Sequence, residues 1–498
     1  MVDLSLTREI IVANFRRHRL FIIVLLLSLV VWAWVFIQAA IEFVTSTVWP
    51  RAVWNGYGTV EIFGYSISFS FEGWADHDYF YHSWADQFLS GRMPYTPEFE
   101  TLTRDSTDYN VPYFFPPLYL YVCVIGKLVH PDLGIGLILA AFGFITAFPI
   151  YGISNYLSGN RQVGAIAAAT YLLNPIVLYH TAFEWLNPAP FVFFSMLSFY
   201  LLMHNRRLSG ALAMTTSALF KQTAFFFALP LIAVLLKRAP QPISGDEPNT
   251  DEEEKPKRPK SDNLDLRGFA VISLAVSIYA AVLSMPYLLD PLNYATEIFS
   301  RAGATHLEDL TAPPPGNYPI TLAVIFIMFG APEWLSETIN LMTFYSIGLL
   351  IGIVPILALM LLEVKDDEDI QAYWRRIFYL TLLLMLCVHI FSPRGIYKYY
   401  TVALVPFFSI LSTSRLCQRA SDKIRISLPM LIVPILCSLT ILVPGRNYYM
   451  LNLLLMLAAY IIHRSFAQTY DLAASPIRRL GQRLKVLARR ETAPQATQ

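Results

Sequence analysis

Long apolar runs recur along this chain and restrict it to a membrane protein. The plainest is 20–41, LFIIVLLLSLVVWAWVFIQAAI. A run of about 18 or more apolar residues can cross the hydrocarbon core of a bilayer as a helix. Its length and the lack of a small-residue cleavage site indicate a retained anchor. Similar runs lie at 133–157, 162–181, 186–203, 208–236, 268–288, 341–362, 377–391, 400–414, 427–443 and 447–463, with shorter ones at 114–130 and 318–331.

These runs, with only 15% charged residues, predict an all-α polytopic membrane protein of about 11–13 transmembrane helices. Arg8, Arg16, Arg17 and Arg19 precede the first run, and positive charge marks the cytoplasmic side. The N-terminus is therefore predicted inside, and 46–115 forms a large outer loop with amphipathic helices. The membrane would be the plasma membrane or the endoplasmic reticulum. A net charge of +1 gives no indication of a nucleic-acid partner.

Composition divides the chain into four parts. An N-terminal module, 1–236, contains the outer loop 46–115. Segment 237–267 is charged and proline-rich, which predicts a disordered cytoplasmic linker. Helices of 268–470 follow, and the basic tail 471–498 is predicted to be cytoplasmic, as a helix lying on the membrane. The four cysteines fall in or beside apolar runs without a CxxC pair, so neither a disulfide framework nor a zinc site is expected.

An acidic pair, Asp76 and Asp78, stands in the outer loop within EGWADHDYFYHSWADQFLSGRMPY, residues 72–95. Apolar side chains at helical spacing follow it, at Tyr81, Trp84, Ala85 and Phe88. This spacing predicts an amphipathic helix over 78–90 that lies on the membrane surface and ends at GRMPY. One interpretation is a general base, alone or with a metal ligand. The other is a solvated loop in which Asp78 caps the helix. A divalent cation, Mg²⁺ or Mn²⁺, is left open.

Cations at membrane depth are the next candidates. Polar FKQT at 220–223 interrupts the run 208–236, which predicts two half-helices that meet at Lys221 beside a cavity; LLNPIVLYH at 172–180 suggests a similar break. The turn FSPRGIYKYY at 391–400 carries Arg394 and Lys398 among tyrosines. Arginine suits phosphate, and Tyr397, Tyr399 and Tyr400 suit a sugar. The alternative is an interfacial belt of snorkelling cations and aromatic residues.

Other polar residues have two interpretations each. His82 is a packing residue or a ligand-binding one. Glu184, near Asn187, faces the outer cavity or is a charge at a helix end. The segment 297–319 is a lid or a connector.

The stretch DHDYFYHSWADQFLSGRMPY with FFPPLYLYV, and the segment 172–231 with its Asn-Pro, apolar span, basic turn and lysine break, resemble the GT-C superfamily. The nearest resemblance is to mannosyltransferases with an Asp-X-Asp first outer loop. It implies a GT-C-like catalytic module at 1–236. It also implies inverting transfer of a sugar, mannose, from a polyprenyl- or dolichyl-phosphate donor to a lipid-linked glycan or glycolipid acceptor outside the cytoplasm. Asp76 or Asp78 would be the general base, and the substrate-binding residues would be Tyr81, His82, Glu184, Asn187, Lys221, Arg394, Tyr397, Lys398 and Tyr400.

Three other functions remain open. A transporter or flippase of lipid-linked sugars predicts internal repeats and ionisable residues deep in several spans. A non-catalytic subunit of a membrane complex would explain the spans and loops but not the acidic pair. A phosphatase or ligase acting on a lipid-linked sugar is a further enzyme class.

Overall fold

A computed structural model of the chain describes most of the apolar runs and much of the outer loop. The segment 238–263 and the tail 466–498 lie outside it, so most of the predicted linker and all of the predicted basic tail are outside the described residues. The described ranges are 16–47, 49–51, 58–62, 65–69, 73–237, 264–285, 287–299, 306–310, 320–365, 369–413, 426–442 and 449–465.

Helices make up most of the described structure, which confirms the predicted all-α polytopic class. They are α1 Arg19–Thr45, α2 His82–Leu89, α3 Pro97–Glu100, α4 Pro117–Val129, α5 Gly134–Ile145, α6 Ala147–Ser158, α7 Arg161–Leu172, α8 Pro175–Val177, α9 Pro188–Met203, α10 Arg207–Phe220, α11 Ala224–Leu236, α12 Leu266–Leu283, α13 Pro291–Phe299, α14 Leu322–Met328, α15 Glu333–Phe344, α16 Ile347–Leu362, α17 Ile370–Ile390, α18 Val405–Thr413, α19 Leu428–Cys437 and α20 Tyr449–Ser465. π-Helical turns precede α2 (His77–Tyr81) and follow α8 (Leu178–Phe183), and 3₁₀ turns cover Tyr287–Leu289, Lys398–Ala403 and Ser438–Ile441.

The outer loop also contains two short antiparallel hairpins that the sequence reasoning did not predict. One pairs β1 Gly58–Ile62 with β2 Tyr65–Phe69, with Gly58 opposite Phe69. The other pairs β3 Thr101–Arg104 with β4 Thr107–Asn110, with Thr101 opposite Asn110. Each hairpin is a local feature beside the helices, so the fold class is unchanged.

Every predicted apolar run contains a described helix, but the helices differ in length. Four are long and apolar enough to cross a membrane: Arg19–Thr45, Gly134–Ser158, Leu266–Leu283 and Ile370–Ile390. Two bent pairs would raise this to six among the described residues, one bent by 49° after Leu172 and one by 61° after Phe344. Several other runs fold as apolar helices of 10–17 residues. The count of 11–13 spans therefore stays a prediction.

Helix α1 packs along α7 and leaves much of its surface outside the protein. The Trp32 indole donates a hydrogen bond of 2.8 Å to the carbonyl of Leu172. Leu26, Leu27 and Val30 are exposed on the same helix. Exposed leucine and valine on a hydrogen-bonded helix suit contact with lipid, in agreement with the predicted membrane anchor.

The predicted amphipathic helix of the outer loop exists, but its surroundings differ from the prediction. It runs as a π-turn and α2 from His77 to Leu89 and ends before Gly91, whose φ of +87° favours glycine. Trp84 is fully buried, with its ring 5.0 Å from that of Tyr113 and its indole donating to the carbonyl of Val111. The apolar face therefore packs inside the protein, and the prediction that it lies on the membrane surface is wrong.

Candidate functional site

A break between two helices places a lysine in the interior of the protein. Helix α10 ends at Phe220 and α11 begins at Ala224, and Lys221 between them has extended backbone angles. Only 4% of Lys221 is exposed. Gln222, the next residue, donates to the carbonyl of Phe114 at the end of the outer loop. The prediction of two half-helices that meet at Lys221 is confirmed.

The ammonium group of Lys221 lies in a cage of aromatic rings. Its Nζ is 4.5 Å from the centroid of the Tyr400 ring and 4.9 Å from that of Tyr399. The rings of Phe191 and Phe115 stand at 5.7 and 5.8 Å. Aromatic faces attract cations, more strongly where water is excluded. The cage therefore holds a positive charge that would otherwise be costly to bury.

Amide and phenol groups extend this site toward the outer loop. Lys221 donates to Oδ1 of Asn187, and Nδ2 of Asn187 donates to the hydroxyl of Tyr81 at 3.1 Å. Burial first, and then the charge of Asp76, raise the pKa of Tyr81 well above its usual value. The phenol is therefore neutral at physiological pH. Three predicted site residues, Tyr81, Asn187 and Lys221, are thus connected by hydrogen bonds.

Asp76 and Arg394 complete the group of charges. Asp76 is half-buried, and its carboxylate interacts electrostatically with both Lys221 and Arg394. The guanidinium of Arg394 lies 5.3 Å from the ring centroid of Phe114. One carboxylate thus stands near two basic side chains. We call Asp76, Tyr81, Asn187, Lys221 and Arg394, with the surrounding rings, the outer cation site.

The turn that carries Arg394 is fixed from both sides. Ile396 and Ile320 exchange two backbone hydrogen bonds of 2.9 and 3.3 Å. The Tyr397 ring stacks on that of Tyr399 at 5.8 Å and contacts Tyr400 at 5.7 Å. The structure therefore brings the predicted Tyr397 and Tyr400 to the outer cation site together with Arg394.

Asp78 points away from this site and forms an ion pair. Its two carboxylate oxygens accept from Arg51, at 2.7 Å from Nη1 and 3.0 Å from the backbone N–H. The guanidinium of Arg51 also covers the Phe43 ring at 4.2 Å. Asp78 is 7% exposed and lies within the π-turn. The pair ties the chain that follows α1 to the start of the outer helix, so Asp78 acts neither as a partner of Asp76 nor as the predicted helix cap.

Three other predicted residues also lie apart from the outer cation site. The His82 ring stacks on Phe43 at 6.1 Å and meets the His77 ring at 4.7 Å. Buried Glu184 is paired with buried His180, so it faces neither an open cavity nor water. The ammonium of Lys398 lies 4.9 Å from the Tyr449 ring centroid and interacts electrostatically with His180.

Sequence reasoning missed several residues that shape these clusters. Arg51 gave no signal beyond being one of the arginines of the outer loop. His180 lies in the predicted break 172–180 but received no role. Phe115 and Phe191 look like ordinary apolar residues, and nothing in the pattern indicates that both face Lys221. The described residues contain no group of three His, Cys, Asp or Glu side chains that could hold a metal ion. The divalent cation that was left open therefore has no such ligand set in this part of the chain.

The fold and the outer cation site define a multi-pass helical membrane protein with a buried cation at a helix break. Residues 107–318 match the family model of PIG-U, described as a GPI transamidase subunit. The match covers less than half of the chain's 498 residues. It includes Asn187 and Lys221 but not Asp76, Asp78 or Arg394. A comparison with curated proteins gave no match.

This match overturns the resemblance to GT-C mannosyltransferases. The predicted mannosyl transfer, the hexosyltransferase activity and the polyprenyl- or dolichyl-phosphate sugar donor are wrong with it, and the transporter or flippase is unsupported. The structure itself does not decide the predicted catalytic role of Asp76 and Asp78, which stays a prediction. The multi-pass membrane location is retained.

Proposed function

We propose that this chain is a membrane subunit of a GPI transamidase, the class of complex that attaches GPI to proteins. The observation that carries the proposal is the match of residues 107–318 to the PIG-U family. The membrane would be that of the endoplasmic reticulum, and the partners would be other transamidase subunits. The non-catalytic subunit of a membrane complex, one of the functions left open by the sequence, becomes the proposal.

The outer cation site supports a role in binding the GPI precursor. A glycosylphosphatidylinositol contains a lipid, a phosphate and a glycan in one molecule. Lys221 and Arg394 supply positive charge for the phosphate. Tyr397, Tyr399 and Tyr400 supply rings and hydroxyls beside those cations, and such side chains pack against sugars. The chain would hold the precursor, while another subunit would exchange the bonds.

The predicted orientation fits this role. With the N-terminus in the cytoplasm, the end of α1 and the outer loop lie on the lumenal side. Phe43 near the end of α1 contacts Trp74 at 5.6 Å, two residues before Asp76. The outer cation site would therefore open toward the lumen, beside the lipid. These placements remain part of the proposal.

Purification of the full chain from membranes of its own cell tests the proposal. The chain would carry an affinity tag, and the bound proteins would be identified by mass spectrometry after mild detergent extraction. We expect a transamidase subunit and bound GPI precursor in the same preparation. A preparation that contains the chain in folded form, but neither transamidase subunits nor GPI lipid, would overturn the proposal.

A further inference from the structure

A cavity rich in arginine lies at the other end of α1 from the outer cation site. It has a volume of about 330 Å³ and is lined by Arg16, Arg17, Arg19 and Arg161 together with His18 and Tyr151. Among residues 16–47 and the other described ranges, no carboxylate lines it. Within the part of the chain that the structure describes, none of the four arginines is paired with an acidic side chain.

The cavity is built by two helices that begin side by side. Arg19 opens α1 and Arg161 opens α7, and the two helices pack along their length. Tyr151 of α6 joins them, since its hydroxyl is 2.7 Å from Nδ1 of His18 and its ring stacks on Phe21 at 4.0 Å. The N-terminal ends of helices add positive potential to that of the arginines. The floor of the cavity is therefore a fixed structure, and its wall is strongly cationic.

A groove lined mainly by apolar and aromatic side chains, together with Asn155 and His204, adjoins this cavity. It has a volume of about 580 Å³, runs between α6 and α9, and shares His18, Phe21 and Tyr151 with the cavity. Its other walls include Phe148, Phe193 and Leu197. Phe148 is 50% exposed, so the groove is open to the surroundings of the helices.

We propose that the cavity and the groove form one binding site for an anionic glycerophospholipid. The arginines would hold the phosphate of the headgroup, and the groove would hold an acyl chain. Charge complementarity and the change from cationic to apolar walls within one continuous space carry this assignment. An α-helix of 27 residues spans about 40 Å, so the site lies on the opposite membrane face from the outer cation site. It is independent of the proposed function.

Native mass spectrometry of the full-length chain in detergent tests this site. The probes are dioleoyl phosphatidylglycerol, dioleoyl phosphatidylcholine as the neutral lipid, and glycerol phosphate as a headgroup without acyl chains. We expect the anionic lipid to be retained in preference to the neutral lipid. Glycerol phosphate at the same concentration should not displace it. Equal retention of both lipids, or full displacement by glycerol phosphate, would overturn the proposal.

Variants separate the two halves of the site. Each basic residue at a lipid surface contributes about fivefold in affinity, so the double variant Arg17→Gln, Arg161→Gln should lose about 25-fold. Leu197→Trp should fill the groove and should also weaken lipid binding. Arg161→Lys keeps the charge and should retain most binding. Arg375→Gln, on α17 outside the cavity, is the matched control and should bind as the wild type does.

The same variants exclude the alternatives. If both Arg17→Gln, Arg161→Gln and Leu197→Trp leave binding unchanged, the site does not exist. If only the arginine variants weaken binding, the arginines attract headgroups without a seated chain, and the proposal is wrong. Thermal unfolding of each variant in neutral detergent shows that a loss of binding is not a loss of folding.

Discussion

Lys221 is the residue on which the account of the outer site depends. A buried ammonium group is costly unless other groups stabilise it. Here the Asn187 amide accepts from it and the rings of Tyr399 and Tyr400 lie within 5 Å. A buried and stabilised cation at a helix break suits an anionic ligand, because ionisable groups at membrane depth are usually functional.

Replacement of Lys221 should reduce ligand binding more than it reduces the stability of the fold. Lys221→Met removes the ammonium but keeps an unbranched side chain of similar length. We expect binding of GPI precursor to fall roughly tenfold, or ~1.4 kcal/mol, because a charge-assisted contact to phosphate is lost. The measurement is retention of labelled precursor by purified protein. Lys127→Met, a lysine of α4 that pairs with Asp86 in the outer loop, is the matched control; a similar loss there would contradict the role of Lys221.

Asp78 should behave as a structural residue. Asp78→Asn leaves Arg51 without its partner in a partly buried place, and we expect a loss of about 2 kcal/mol in the free energy of unfolding, between exposed and buried ion pairs. Thermal unfolding of the detergent-solubilised chain measures it. Because the two residues act as a pair, Arg51→Gln with Asp78→Asn should cost less than the sum of the single variants. Additive losses would show that the ion pair contributes nothing.

His77 gives the outer loop a dependence on pH. Its ring is fully buried between Phe43 and Trp185, and burial, then the charges of His82 and Arg51, lower its pKa well below the usual 6.5. A folded pKa below the unfolded value means that the unfolded chain binds the proton more tightly. Stability from this residue is therefore full above about pH 6.5 and is lost as the pH falls below it. His77→Phe should reduce the dependence of the unfolding free energy on pH between pH 7 and pH 5, by an amount equal to the uptake of about one proton at most. An unchanged dependence in thermal unfolding would contradict the assignment.

At the residue scale, the sequence identified charges but not their partners. The spacing of Asp76 and Asp78 suggested a pair with one role. The structure separates them, since Asp78 meets Arg51, 27 residues away in the chain. No local pattern encodes a contact at that separation. Lys221 was predictable because a polar residue between two apolar runs has few stable placements in a membrane protein.

At the element scale, breaks in helices position the outer cation site. Asn174 caps α8 through the backbone N–H of Ile176, and the π-turn that follows carries His180. The Pro-Ala-Pro of α9 begins directly after Asn187. These breaks were readable from Asn-Pro and from FKQT. The burial of the outer helix was not, because an amphipathic pattern indicates an apolar neighbour without distinguishing lipid from protein.

Close packing between α5 and the segment before α9 is a second consequence at this scale. A Cβ at Gly136 would overlap the Trp185 ring, which is fully buried. Gly136→Ala should therefore force the ring or the helix to move, with a loss of about 1–3 kcal/mol in thermal unfolding. Ala141→Val enlarges an exposed position on the same helix and should change stability little. A neutral Gly136→Ala would show that this contact is loose.

At the scale of the whole molecule, the architecture was predictable and the function was not. Apolar runs determine a helical membrane class through the cost of unpaired backbone groups in lipid. Polytopic proteins with different functions share that architecture, and a two-residue acidic pair is too short a pattern to separate them. The match to the GPI transamidase subunit PIG-U covers 107–318, where Asn187 and Lys221 lie.

The measurement that tests the central claim most directly is GPI attachment to a reporter protein in cells depleted of this chain. We expect depletion to leave the reporter unattached and the wild-type chain to restore it. Lys221→Met should restore it poorly, although the variant accumulates in the membrane as the wild type does, and Lys127→Met should restore it fully. Normal attachment in depleted cells would contradict the account.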